Sequence, residues 1–120
     1  MLCFLVDDFE EDRKIFLMAL KSLNSSISLV TANNGLDALE KFKDAGLLPD
    51  YIFLDANMPY MSGKDCLIKL RDMKRLKDVP IIIYSTVQYF NELVPFGATG
   101  FMPKQNSIAA LTSNYSAPLP

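Results

Sequence analysis

Histidine and tryptophan are both missing from this 120-residue chain. Without histidine, the commonest general base and any histidine-borne phosphoryl relay within the chain are removed. Cysteine is scarce. Cys3 and Cys66 lie far apart and neither belongs to a Cys-x-x-Cys pair, which argues against redox or zinc chemistry. Both fall in apolar patterns and are expected as reduced core residues. No apolar run exceeds about five residues, far below the ~20 that span a bilayer, and the N-terminus carries no basic region. A membrane role is therefore not expected, and a cytoplasmic location follows by default. Basic runs are also missing: no more than two Lys or Arg are consecutive, and the net charge is −2. Direct nucleic-acid binding is not expected from such a balance.

What is present is ordinary globular composition, 50% hydrophobic and 22% charged, in a length that suits one domain with one sizeable core. Strand-like and helix-like segments alternate. Leu2–Val6 reads as a strand, and Glu10–Leu23 carries a helical apolar stripe through Ile15, Phe16, Ala19, Leu20 and Leu23. Ile27–Ala32 is a second strand; Asn33-Asn34-Gly35 then turns the chain into a helix over Leu36–Ala45, which Gly46 and Pro49 end. Ile52–Leu54 is a third strand, Lys64–Leu76 a helix, and Pro80–Tyr84 an almost wholly apolar strand. Val87–Phe96 is a weak helix interrupted by Pro95. Gly100–Met102 is the last strand, and Ser107–Asn114 a short closing helix with Ser107 as its cap. Alternation of this kind predicts an α/β fold with right-handed crossovers and a parallel sheet covered on both faces. Residues 1–112 form the expected domain and 113–120, with two prolines, a C-terminal tail.

The chemistry gathers at strand ends. Asp55 terminates Tyr51-Ile-Phe-Leu, and Asp7-Asp8 terminate Leu2-Cys-Phe-Leu-Val. In an open α/β sheet the carboxyl ends of the strands are where ligands bind. Three carboxylates in one place repel unless a cation sits among them, and few carboxylates plus water suit Mg²⁺. A lone strand-end Asp is more often a turn former or helix cap, and Asp7 could simply cap the first helix. Lys104 taken alone could be an ordinary surface lysine.

Taken together these elements resemble the receiver domain of two-component response regulators. The resemblance covers residues 2–112. It rests on Asp7-Asp8, then Asp55 followed by Met58-Pro59 and Gly63. Further along come Pro80-Ile-Ile-Ile-Tyr-Ser85, Gly97-Ala-Thr-Gly-Phe101 and Lys104. It implies a flavodoxin-like, doubly wound five-stranded parallel sheet in the order 2-1-3-4-5. It also implies that Asp55 accepts a phosphoryl group from a sensor histidine kinase or a phosphotransfer protein, with Mg²⁺ as cofactor. The matching metal ligands are Asp8, Asp55 and the main-chain carbonyl of Asn57, with Asp7 acting through water. Lys104 would pair with Asp55 and later with the phosphate. Ser85 would donate its hydroxyl to a phosphate oxygen, and the amides of Ala56 and Thr86 would complete the cradle. Phe101 matches an aromatic switch position that moves with Ser85 to signal to a downstream partner.

Two departures stand out. Gln105 replaces the proline that usually follows the lysine, so the Lys104–Gln105 bond is expected to be trans, the cis form costing ~2.5–4 kcal/mol without proline. The stretch from Ser85 to Gly97 is about one helical turn short of the family's usual length. Shortened fourth and fifth helices predict a monomer or a weak dimer. The rival reading is a phosphate-independent pseudo-receiver acting as a protein-interaction module. An aspartate-dependent phosphatase is disfavoured, since Asp7-Asp8-Phe9 lacks a second acid two residues on. With no output segment expected after residue 112, the chain reads as a stand-alone receiver or as a piece of something longer.

Overall fold

The computed structural model of the chain describes residues 1–56, 58, 60–85 and 90–104. In chain order the elements are β1 (Leu2–Val6), α1 (Glu10–Leu23), β2 (Ser28–Ala32), α2 (Gly35–Lys41), β3 (Tyr51–Leu54) and α3 (Gly63–Arg71). A 3-10 turn at Lys74–Leu76 leads into β4 (Ile81–Ser85). Next come α4 (Phe90–Leu93), a second 3-10 turn at Val94–Phe96 and β5 (Gly100–Pro103). All strand pairs are parallel, in the order β2-β1-β3-β4-β5. This is the flavodoxin-like arrangement that the family resemblance implies. The expected closing helix at Ser107–Asn114, the tail, and Gln105 with its peptide bond lie outside the described residues, as do Thr86 to Tyr89.

Strand side chains alternate between two cores, as the period of 2 requires. Cys3, Leu5, Phe53, Ile82, Tyr84 and Met102 face α1, where they meet Phe16, Ala19 and Leu20. Phe4, Val6, Ile52, Leu54, Ile81 and Ile83 face the other way, against Ala38, Leu67, Leu70 and Leu93. A sheet covered on both sides needs near-continuous apolar strands, which these are. Phe16 fixes α1 to the sheet by edge-on contact with Phe53 (4.8 Å) and Tyr84 (5.2 Å between centroids). Each fully buried side chain of this size contributes about 1.5–3 kcal/mol. Cys3 and Cys66 are buried free thiols, and burial pushes them up to about 11 and about 12.

The helices start on local signals. Glu10, Glu11 and Asp12 place negative charge in the first turn of α1, where the helix dipole favours it. Asn34 caps α2, its side-chain oxygen accepting from the Asp37 amide at 2.8 Å, and Ser62 does the same for Asp65 in α3 at 3.1 Å.

Two helices end earlier than expected. α2 stops at Lys41 rather than Ala45, because the chain tightens into i→i−3 bonds from Lys43 to Glu40 and from Asp44 to Lys41. Arg75 donates to the carbonyls of Phe42 and Asp44 and so satisfies that end from outside. The expected helix Lys64–Leu76 is in fact α3 followed by the separate 3-10 turn, with Met73 extended between them.

Candidate functional site

Strand register, not loop accident, brings the acids together. Val6 pairs with Leu54, so the next residues, Asp7 and Asp55, emerge side by side from adjacent strands. The Asp7 amide donates to Ala32 O at 3.1 Å and the Asp55 amide to Val6 O at 3.0 Å, extending the ladder by one step. Parity then sets direction. Asp7 continues the Cys3, Leu5 series and Asp55 the Phe53 series, the face covered by α1. On the other side of β3, at the same carboxyl end of the strands, Ser85 pairs with Pro103, and Lys104 follows with its amide donating to Ser85 O at 3.0 Å.

The result is a small acidic pocket. Ligand oxygens of Asp7, Asp8 and Asp55 lie within 4.8 Å of one another; Asp7 and Asp55 are buried and Asp8 is exposed. Lys104 Nζ lies 2.9 Å from Asp55 Oδ2, 3.0 Å from Asp7 Oδ2 and 2.9 Å from Asp12 Oδ2. The Tyr84 ring flanks the same ammonium, 5.4 Å from its centroid. Asp7 Oδ1 accepts from the Phe9 amide at 3.0 Å, while Arg13 Nη1 holds the Asp7 carbonyl at 2.8 Å. Asp7 thus braces the turn before α1; the capping position of α1, Phe9, offers no side-chain cap.

Burial shapes the charges. Desolvation raises the Asp7 carboxyl to about 6, against the opposing pull of the Phe9 amide and Lys104. For Lys104 burial works downward. The hydrogen bonds to Asp12 and Asp55 and the charge of Asp7 outweigh it and hold the ammonium above the usual lysine range. Burial likewise pushes the Tyr84 phenol up, which leaves it protonated beside the pocket.

One buried atom bears on whether a cation fits. Asp7 Oδ2 has no hydrogen-bond partner among the described residues, although Lys104 Nζ lies 3.0 Å from it as an ion-pair partner. A buried carboxylate oxygen without a bond is costly, and a hard cation among three carboxylate groups would relieve it. The donor set fits such an ion.

Of the residues singled out by sequence, Asp7, Asp8, Asp55 and Lys104 converge. Ser85 is buried at the end of β4, beside Lys104. Ala56 follows Asp55 and its carbonyl takes the Gly63 amide at 3.1 Å. Phe101 is partly buried, in β5, and packs against the core on the face away from α1. Asn57 and Thr86 lie outside the described residues. Asp12, Arg13 and Tyr84 were not anticipated at the site. Asp12 reads in sequence only as one of three first-turn acids. The parity of Tyr84 could have placed its ring on the Lys104 side.

Comparison with known proteins follows the same line. The family model described as "Response regulator receiver domain" matches residues 3–116. Over 111 residues, 90% of the chain, the sequence is 34% identical to the sensor histidine kinase CheAY of Helicobacter pylori, of whose length it spans 14%. Chemotaxis protein CheY-3 of Vibrio cholerae is 30% identical over 92% of this chain and 85% of its own length. The structure of the chemotaxis response regulator CheY4 of Vibrio cholerae superposes with a TM-score of 0.81 at 27% identity, covering 93% of this chain and 92% of that one. The chain belongs to the family of response regulator receiver domains.

Proposed function

We propose that this receiver takes a phosphoryl group onto Asp55 from a sensor histidine kinase or a phosphotransfer protein and relays the change to a downstream protein. The observation that carries the reading is Asp55 paired with Lys104 at 2.9 Å in a pocket that Asp7 and Asp8 share. A carboxylate oxygen of Asp55 attacks the donor phosphorus. The bond to the donor's leaving group breaks with its electron pair, and an acyl phosphate forms on the side chain. Such a transfer needs positioning and charge neutralisation more than proton transfer, in keeping with a chain that has no histidine.

Asp8, exposed, and Asp55 would ligate Mg²⁺ directly, with the Asn57 carbonyl. Asp7, one of whose oxygens is committed to Phe9, would act through water. Bound there, the ion supplies charge withdrawal from the phosphoryl oxygens. Lys104 balances Asp55 before transfer and donates to a phosphate oxygen afterwards. The Ser85 hydroxyl and the amides of Ala56 and Thr86 hold the remaining oxygens. Ser85 moving toward the phosphate draws Phe101 inward, and the new bonds bias one of two conformations. Carrying a 1:99 population to 99:1 takes ~5.5 kcal/mol, within reach of several charge-assisted bonds plus a metal contact. The chemistry is confined to the chain's own aspartate, so it is a switch and not an enzyme with an external substrate. Among the described residues no helix is long and apolar enough to cross a membrane. A cytoplasmic protein, monomeric or weakly dimeric, fits this role.

Acetyl phosphate with Mg²⁺ is expected to add one phosphoryl group, mapped to Asp55 by mass spectrometry and lost in Asp55→Ala. No adduct, or an undiminished adduct in Asp55→Ala, refutes the proposal.

A further inference from the structure

We infer that Asp12 is a positioning residue that keeps Lys104 at the pocket while Asp55 reacts, an inference that rests on the phosphoacceptor reading above. The Lys104 side chain is 10% exposed and meets three carboxylates: Asp55 Oδ2 at 2.9 Å, Asp7 Oδ2 at 3.0 Å and Asp12 Oδ2 at 2.9 Å. Those three partners are not equivalent. Asp7 and Asp55 both belong to the cluster that could share a cation, and Asp12 does not. Asp55 is also the group that changes on phosphorylation. As the pocket is put to use, two of the three anchors are therefore diverted to other bonds. Asp12 is the one carboxylate of the three left to hold the ammonium.

Its placement suits that task. Asp12 sits in the first turn of α1, and that helix is fixed to the sheet by Phe16 against Phe53 and Tyr84. Tyr84 also flanks the ammonium, so one rigid unit supplies both the carboxylate and the apolar wall. Lysine is a point charge with three donors on a flexible stem. Its flexible stem would let it swing outward once a doubly charged cation engaged Asp55 directly and Asp7 through water. A hydrogen bond to Asp12 at 2.9 Å takes one donor and leaves two for phosphoryl oxygens. The Asp12 side chain is 30% exposed, so the pair is partly screened.

The decisive variant is Asp12→Asn, which keeps shape and loses charge. With acetyl phosphate and Mg²⁺, its saturating rate of adduct formation is expected to fall about fivefold, the effect of a partly screened ion pair. Donor half-saturation and Mg²⁺ affinity should stay near wild type. In a Lys104→Ala background the same change should do nothing further, because Asp12 acts through the lysine. Asp12→Glu should recover part of the rate. A second readout needs no turnover. The Lys104 ammonium should give a solvent-protected side-chain NMR signal, with and without Mg²⁺, which Asp12→Asn broadens most when Mg²⁺ is present. An adduct forming at wild-type rate in Asp12→Asn, or an equal loss in the Lys104→Ala background, overturns this inference alone. No adduct on wild-type Asp55 overturns the phosphoacceptor reading and takes this inference with it.

Discussion

Arg71, the last residue of α3, donates from Nε to the main-chain carbonyl of Gly97 at 2.9 Å. The same guanidinium reaches Leu76 O and Val79 O at 2.8 Å each, and Thr99 Oγ1 at 3.1 Å. Thr99 Oγ1 in turn accepts from the Ile81 amide at 3.1 Å. One side chain thus ties the entry to β4 to the entry to β5. Gly97 has a φ of +106°, and a Cβ there would lie 2.7 Å from Arg71 Cγ, so glycine is needed both for the turn and for the approach. Burial pulls the guanidinium below its ordinary value, with the charge of Asp78 opposing.

Arg71→Met should therefore leave several carbonyls short of a donor while retaining the apolar stem. Each such loss costs roughly 1–3 kcal/mol where the acceptor is kept from water. The unfolding free energy is expected to drop by at least one such loss, read as a lower urea midpoint with the slope unchanged. Mg²⁺-dependent labelling of Asp55 should persist in the folded fraction, since Arg71 touches none of the pocket acids. An unmoved midpoint would show that water replaces the guanidinium at no cost.

These long polar ties are the part of the molecule that pattern reading does not reach. Strand parity was legible: the alternation in β1 and β3 puts Asp7 and Asp55 on one face, and the spacing after Gly100 delivers Lys104 beside them. Lys104 meets Asp12 across 92 positions of sequence. Which helical side chain meets it depends on how α1 is rotated and tilted on the sheet, and periodicity fixes that only to within a face. Arg75 bonding to Phe42 and Asp44 is of the same kind. Its long stem lets the head bond far from its own Cα, so α2 ends early for a reason its local sequence does not contain. Pro95 is the opposite case. It marked a weak helix, and the chain does pass into a 3-10 turn there.

Asp7 makes metal-free stability depend on pH with a definite sign. Its folded carboxyl is raised to about 6 by burial, against an unfolded value of about 3.9. A raised acid favours the folded state fully below the unfolded value and loses that advantage as pH climbs through the folded one. Stability of the metal-free protein should thus decline between about pH 4 and pH 6, by up to about 3 kcal/mol from this residue. Lys104, held above the usual lysine range, keeps its charge throughout that window. Added Mg²⁺ should restore progressively more stability as pH rises, because it binds the charged form. Denaturation midpoints at several pH values in EDTA, compared with Asp7→Asn, test this; identical profiles for the two proteins would refute it.

Gly63 tests how tightly the loop after β3 is wound around the phosphoacceptor. Its amide donates to Ala56 O at 3.1 Å. A Cβ at this position would lie 2.6 Å from Ala56 Cα and 2.7 Å from the Asp55 carbonyl oxygen, both backbone atoms that cannot rotate away. Gly63→Ala should therefore shift the main chain of Asp55 and Ala56, costing about 1–3 kcal/mol as an overpacked contact. Mg²⁺ affinity, followed by titration, should weaken along with it. Gly46→Ala is the control. The nearest atom to its added Cβ is a side-chain oxygen, Asp44 Oδ1, at 3.3 Å and not backbone, and a change within about 0.5 kcal/mol is expected there. If both alanine variants bind Mg²⁺ as the wild type does, the close approach of Gly63 does not position Asp55.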